Sequence, residues 1–319
     1  MRARTHVQLT AGERVGAYEI GRLLACGETA SVYECCHVAL GRPAAIKILH
    51  RHLAGNEEAA GRFVREGRAL SLIRYPHVVE IHDLGEHHGV PYLVMALVEG
   101  NALDEHLRQQ HPMTLSEVAD CILPIVGAVV AAHDAGIVYR DVKPRNVRVV
   151  YDHRGLPVPK VLDFGISKLT GDEQSGKLKE IGELLATASY MSPDQLRSAK
   201  LATVRSDVYS LGVILYQASA GRRPFDGDHP AELMRAIMNE RVEPPSHFRP
   251  ELPPEFDGVV LRAMRREPAE RYVSARELGR SLAPFSSASD AWLGEFAPRS
   301  GHRIVTRTSG VEPRKRTSP

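Results

Sequence analysis

A chain of 319 residues, 43% hydrophobic and 25% charged, can bury a substantial core, and its net charge of +2 gives no general pull toward nucleic acid or membrane. No window reads as approaching the run of about 20 apolar residues that spans a bilayer, and the start, MRARTHVQLTAGERVG, lacks the apolar core of a signal peptide. The four cysteines show no CxxC spacing, so the expected setting is a reducing cytoplasm.

The first predicted elements are strands. YEIGRLL, SVYECCHVAL and PAAIKIL are short β-branched or aromatic runs separated by turn residues. A charged helical stretch follows, EEAAGRFVREGRALSLI, in which Phe63, Leu70 and Ile73 can share one face. Strands return at VVEIHDL and PYLVMALV, with EHHG as an exposed turn between them. Beyond VEGN the pattern becomes helical. Thr114 and Glu117 have capping-box spacing ahead of VADCILPIVGAVVAAHDAG, Gly136 is the expected stop, and Pro124 should kink the helix. IVYR, NVRVVY and PKVLDF read as strands, and helices continue from about residue 205 to 283. The remainder is Ser-, Pro- and Arg-rich and reads as a basic, disordered tail.

Chemistry concentrates in VYRDVKPRNVRVV, Val138 to Val150, and VLDFGIS, Val161 to Ser167. Phosphoryl transfer from a nucleotide needs metal ligands, positive charge near the γ-phosphate and a carboxylate that orients the attacking hydroxyl. Asp141 offers the carboxylate and Lys143 a compact charge beside it. Asn146 and Asp163 supply the hard oxygen donors that magnesium prefers. Upstream, Lys47 closes the strand AAIK, and Glu66 lies on the following helix, where an ion pair can fix the lysine on phosphates. Lys47 and Lys143 are the only lysines in the first 159 residues of a chain that otherwise chooses arginine.

These motifs, in this order, resemble a Hanks-type (eukaryotic-like) Ser/Thr protein kinase and are similar to the bacterial members of that family. The resemblance implies an α+β bilobal protein-kinase fold, with a small β-rich N-lobe carrying one main helix and a larger helical C-lobe. It places a leader at 1–14, the N-lobe at 15–95, a hinge at 96–100, the C-lobe at 101–283 and the tail at 284–319. It implies ATP and Mg²⁺, with Mn²⁺ as a substitute, and Ser/Thr-containing protein substrates, with self-association for autophosphorylation and no nucleic acid. Lys47 and Glu66 become the anchoring pair, Asp141 the catalytic base with Lys143 beside it, and Asn146 and Asp163 the metal ligands. Leu24, Gly27, Val32, Ala45, Lys47, Met95, Ala96, Val98 and Arg148 become the nucleotide pocket. TASYMSPDQL matches the end of the activation segment, Asp207 the aspartate that braces the catalytic loop, and Arg271 the partner of Asp194. Arg140 implies an activation segment ordered by negative charge, with Glu180 or Glu183 standing in for phosphate and Thr170 and Ser175 as secondary phosphosites.

Three departures from the family pattern bear on activity. Two glycines of the G-x-G-x-x-G loop are replaced by Ala25 and Ala30, and only the central Gly27 remains. Tyr139 replaces a histidine and is expected to stack with Phe164, Leu70 and Ile81. Arg148 stands where an aliphatic side chain lies under adenine. A pseudokinase that keeps the fold as a nucleotide-sensing or scaffolding module is therefore the alternative reading.

Overall fold

The computed structural model of the chain describes residues 9–27, 29–109, 113–153, 155–162, 185 and 187–297. Six strands form one antiparallel sheet in the order β1-β2-β3-β4-β6-β5: β1 Arg14–Val15, β2 Tyr18–Cys26, β3 Ala30–His37, β4 Arg42–Leu49, β5 Ile81–His87 and β6 Val90–Ala96. The predicted hairpin turn at His87 and His88 joins β5 to β6, and His88 adopts a positive φ of 49° beside Gly89.

Between β4 and β5 lie helices α1, Arg51–Ala54, and α2, Glu57–Ser71. Asn56 caps α2 by accepting hydrogen bonds from the amides of Glu58 and Ala59. Its buried residues are Phe63, Glu66, Gly67 and Leu70, an i, i+3, i+4, i+7 stripe that fixes which face meets the sheet. Gly67 allows a close approach, because a Cβ there would sit 3.0 Å from the side chains of both Leu84 and Leu93. Glu66 is the one charged member of the stripe and is carried inward with its apolar neighbours.

After β6 the chain crosses through residues 97–100 to a second sheet, β7 Asn101–Ala102, β8 Val147–Tyr151 and β9 Pro157–Val161, in the order β7-β8-β9. Its helices are α3 Leu103–Gln109, α4 Leu115–Asp134, α5 Pro193–Arg197, α6 Val204–Ala220, α7 Pro230–Asn239, α8 Pro254–Ala263, α9 Ala275–Leu282 and α10 Ser289–Glu295. The α4 capping box forms as read, with Thr114 and Glu117 each bonding the other's backbone, and Gly136 follows with a positive φ of 77°. The helix runs unbroken through Pro124.

Two expectations about elements need correction. By length and composition α4 is apolar enough to cross a bilayer, yet 72% of its apolar window is buried inside the protein, where it packs against α6 and α9. The predicted strand IVYR does not form. Residues 137–143 are irregular, because the amides of Tyr139 and Arg140 bond a side chain, Asp207, instead of a neighbouring strand.

The outer boundaries also shift. Leu9 is buried, and Glu13 bonds His87 across the sheet at 3.2 Å, so the leader from residue 9 belongs to the first lobe. At the other end Asp120 accepts hydrogen bonds from Ser286 and Ser287, which leads the chain into α10. Phe296 after α10 is fully buried, stacked on Trp292 at 5.7 Å. Residues 284–297 are therefore part of the fold rather than tail.

Phe296 sits against Gly279 of α9, where even a methyl group would come within 2.8 Å of its ring. Phe296→Ala should cost about 3–5 kcal/mol, the usual range for emptying a buried aromatic site. Urea denaturation should show a correspondingly lower midpoint, whereas an unchanged midpoint would return this segment to the tail.

Candidate active site

The strand register brings the first group of site residues together. Val32 on β3 lies opposite Lys47 on β4, Ala45 lies opposite Met95 on β6, and Ala25 lies opposite Val32. Lys47 and Ala45 are two residues apart on one strand and so share a face, which carries Val32 and Met95 with them. The Lys47 ammonium lies 3.6 Å from the Glu66 carboxylate, and both side chains are largely shielded from water. Ala96 and Val98 follow directly where the chain leaves the sheet.

The loop between β2 and β3 shows why two glycines can be absent. Ala25 and Ala30 are ordinary paired strand residues, Ala25 against Val32 and Ala30 against Leu49. Among the described residues only His88 and Arg140 have positive φ without being glycine, so neither alanine is strained. Gly27 donates its amide to the Ala30 carbonyl at 2.9 Å and closes the turn. Leu24, beside Ala25 on β2, is more than a third exposed.

The second group lies on the segment before β8. Asp141 Oδ2 is 2.9 Å from Lys143 Nζ and accepts from Asn146 Nδ2 at 3.2 Å, while Nδ2 also donates to the Asp141 carbonyl at 2.9 Å. Both amide hydrogens of Asn146 are thus committed to Asp141, which leaves its Oδ1 as the acceptor for a cation. Lys143 reaches on to Thr187 Oγ1 at 3.4 Å, a residue that sequence reasoning missed. The usable signal was its place in TASY, a hydroxyl at the end of the segment facing the catalytic loop.

What holds this segment is Asp207 in the first turn of α6. Its carboxylate accepts from the amides of Tyr139 (2.8 Å) and Arg140 (2.7 Å) and from His133 Nε2 of α4 (2.8 Å). Arg140 has φ of 68°, a left-handed conformation that costs a side-chain-bearing residue about 1 kcal/mol or more. Tyr139 and Leu70 are buried and Ile81 is partly buried against the same core, while Phe164, the fourth member of the expected stack, lies outside the described residues. Arg140 Nη1 is buried without a hydrogen-bond partner among the described residues. Burial also holds the Arg140 guanidinium below its usual pKa, against the attraction of Asp207.

Asp163, Phe164, Thr170, Ser175, Glu180 and Glu183 lie outside the described residues. Arg148 stands on β8, paired with Ala102 and Lys160, and its Nη1 reaches the Gly100 carbonyl at 3.4 Å. The predicted floor residue therefore leans toward the crossing between the lobes.

Asp194 and Arg271 form the remaining anchor. The fully buried guanidinium bonds Asp194 at 2.7 Å and the carbonyls of Arg265, Arg205 and Arg266 at 2.7–2.9 Å. Burial alone would raise the Asp194 pKa, but the hydrogen bond from Ser206 and the Arg271 charge outweigh it and hold the carboxyl below its usual range. A depressed carboxyl contributes stability that is complete above its unfolded pKa and is lost as pH falls through the folded one. Urea titrations from pH 7 downward should show that acid limb, and Asp194→Asn should lack it. Arg271→Met should cost about 3–5 kcal/mol, because it strands a buried carboxylate; a neutral effect would refute the anchor.

Comparison with known proteins agrees with this geometry. The protein kinase domain family matches residues 18–281. Serine/threonine-protein kinase PknL of Mycobacterium tuberculosis is 36% identical over 285 residues, covering 88% of this chain and 69% of that protein. Serine/threonine-protein kinase PknH of Mycobacterium bovis is 33% identical over 311 residues, covering 97% and 50%. The chain spans only 39% and 40% of the probable serine/threonine-protein kinases it matches in Streptomyces coelicolor and Corynebacterium efficiens. The crystal structure of the Mycobacterium tuberculosis PknI kinase domain superposes with a TM-score of 0.66 at 28% identity, covering 87% of this chain and 100% of that one. The paired lysine and glutamate, the Asp207-braced loop and the Asp194–Arg271 anchor thus stand in a chain that belongs to the protein kinase domain family.

Proposed function

We propose that the chain transfers the γ-phosphate of ATP to serine and threonine hydroxyls of protein substrates, with magnesium as the metal. The observation that carries this reading is the Asp141 carboxylate held between Lys143 and Asn146 by a loop whose backbone is clamped on Asp207. A carboxylate so placed orients an incoming hydroxyl and takes up its proton. Lys143 keeps positive charge beside the transferring group, and its contact with Thr187 ties that charge to the substrate-side segment. Lys47, fixed by Glu66, is positioned to hold the nucleotide phosphates.

The donor set suits magnesium: the Asn146 amide oxygen and the Asp163 carboxylate are hard oxygen ligands. Bound there, the ion would neutralise charge on the nucleotide phosphates. Relatives whose names carry serine/threonine-protein kinase support the choice of acceptor hydroxyl, and the DVKPRN form of the catalytic segment agrees with it.

Asp141→Asn should lower kcat by about 10²–10⁴-fold with little change in nucleotide affinity, since the carboxylate acts mainly at the transition state. Labelled-ATP transfer assays decide it, and wild-type turnover in that variant would sink the assignment. Arg148→Leu should restore an apolar floor and tighten ATP binding by about 1 kcal/mol, the scale of a partly buried aliphatic contact. Weaker binding in an ATP titration would instead identify the guanidinium as a ligand for the base.

A further inference from the structure

A cleft of about 250 Å³ opens beside the catalytic segment, lined by Asp104, Arg108, Lys143, Pro144, Arg145, Tyr190, Gln217 and Arg223. Lys143 belongs to both this cleft and the Asp141 cluster, so whatever occupies the cleft lies next to the acceptor position. Its walls come from α3, the catalytic segment, the chain just after residue 187 and the C-terminal part of α6.

The charges in it are unequal in number and in access. Among the described residues Asp104 is the sole carboxylate in the lining, and it is already shared by Arg108 Nη2 at 3.2 Å and Arg145 Nε at 3.4 Å. Its side chain is 17% exposed, whereas those of Arg108 and Arg145 are 67% and 56% exposed. Arg223 adds a third guanidinium, bonded to Ser189 at 2.8 Å and paired with Asp226. The Tyr190 hydroxyl donates to Gln217 Oε1 at 2.6 Å, so an amide and a phenol stand there in place of further carboxylates. A ligand entering the cleft meets accessible cations and one carboxylate that is sheltered and engaged.

We propose that this cleft selects protein substrates with carboxylate side chains flanking the acceptor serine or threonine, and rejects those with flanking arginines. Arg108 and Arg145 are the specificity-determining residues, and a guanidinium suits carboxylates because its planar fork binds both oxygens. Rejection is the sharper half, since an arginine would be driven against like charge with no unengaged carboxylate to meet. This rests on the transferase reading above and deepens it by naming the substrate class.

The test uses three otherwise identical peptides carrying one threonine flanked on both sides by aspartate, alanine or arginine. The full chain should show a kcat/KM at least about tenfold higher for the aspartate peptide than for the arginine peptide, with alanine between them. The double variant Arg108→Glu, Arg145→Glu should invert that ratio, and because a ratio is read, loss of part of the protein to misfolding leaves it intact. Equal use of the three peptides, preference for arginine, or an unchanged ratio in the variant overturns the inference while leaving phosphotransfer established. No transfer to any peptide, together with no transfer to the chain itself, overturns both readings.

Discussion

The grip of one buried carboxylate on two backbone amides organises the catalytic half of this protein. Asp207 is placed by the first turn of α6, a helix started by Thr203 and buried along most of its length. From there it reaches Tyr139, Arg140 and His133, which stand far away in sequence. Arg140 is forced into a left-handed conformation, and such strain persists only where the surroundings over-determine it. Once Arg140 turns, Asp141, Lys143 and Asn146 follow in a short bonded cluster, and Gln195 secures the Arg140 carbonyl from the other side at 2.8 Å.

Two further anchors carry that order outward. The Lys47–Glu66 pair ties the only charged residue on the buried face of α2 to the central strand of the first sheet. Its strength comes from shielding, because a pair removed from water is screened less than one on the surface. The Asp194–Arg271 pair does the same for α5. Its guanidinium is satisfied by three carbonyls besides the carboxylate, which is the condition under which a buried ion pair is tolerable.

The departures from the family pattern fall into two kinds. Ala25 and Ala30 cost nothing in backbone strain, since both lie in paired strands with ordinary φ. Arg148 instead puts a guanidinium on β8 where the family pattern has an aliphatic side chain, and its contact with the Gly100 carbonyl draws it toward the crossing between the lobes. Arg145, in the same catalytic segment, faces the opposite cleft with Arg108 and Arg223. Arginine thus stands on two sides of Asp141, at 148 beside the crossing between the lobes and at 145 in the cleft.

The amino-acid sequence by itself determined the elements with local causes. The capping box at Thr114 and Glu117, the glycine stop at 136, the strand runs of the first sheet and the two isolated lysines were all legible, because each depends on residues within a few positions of one another. The polar motifs and their order were enough to name the fold and the family. Tertiary structure alone decided that IVYR would not be a strand, since the partner of its amides lies on a helix about 67 residues away. It also decided that residues 284–297 would fold, because Phe296 finds its pocket only when Gly279 of α9 leaves room for it. The charge of the cleft beside Lys143 was likewise invisible, as it depends on α3, the catalytic segment and Arg223 converging at one place. Long-range side-chain contacts of this kind leave no period or spacing in the chain.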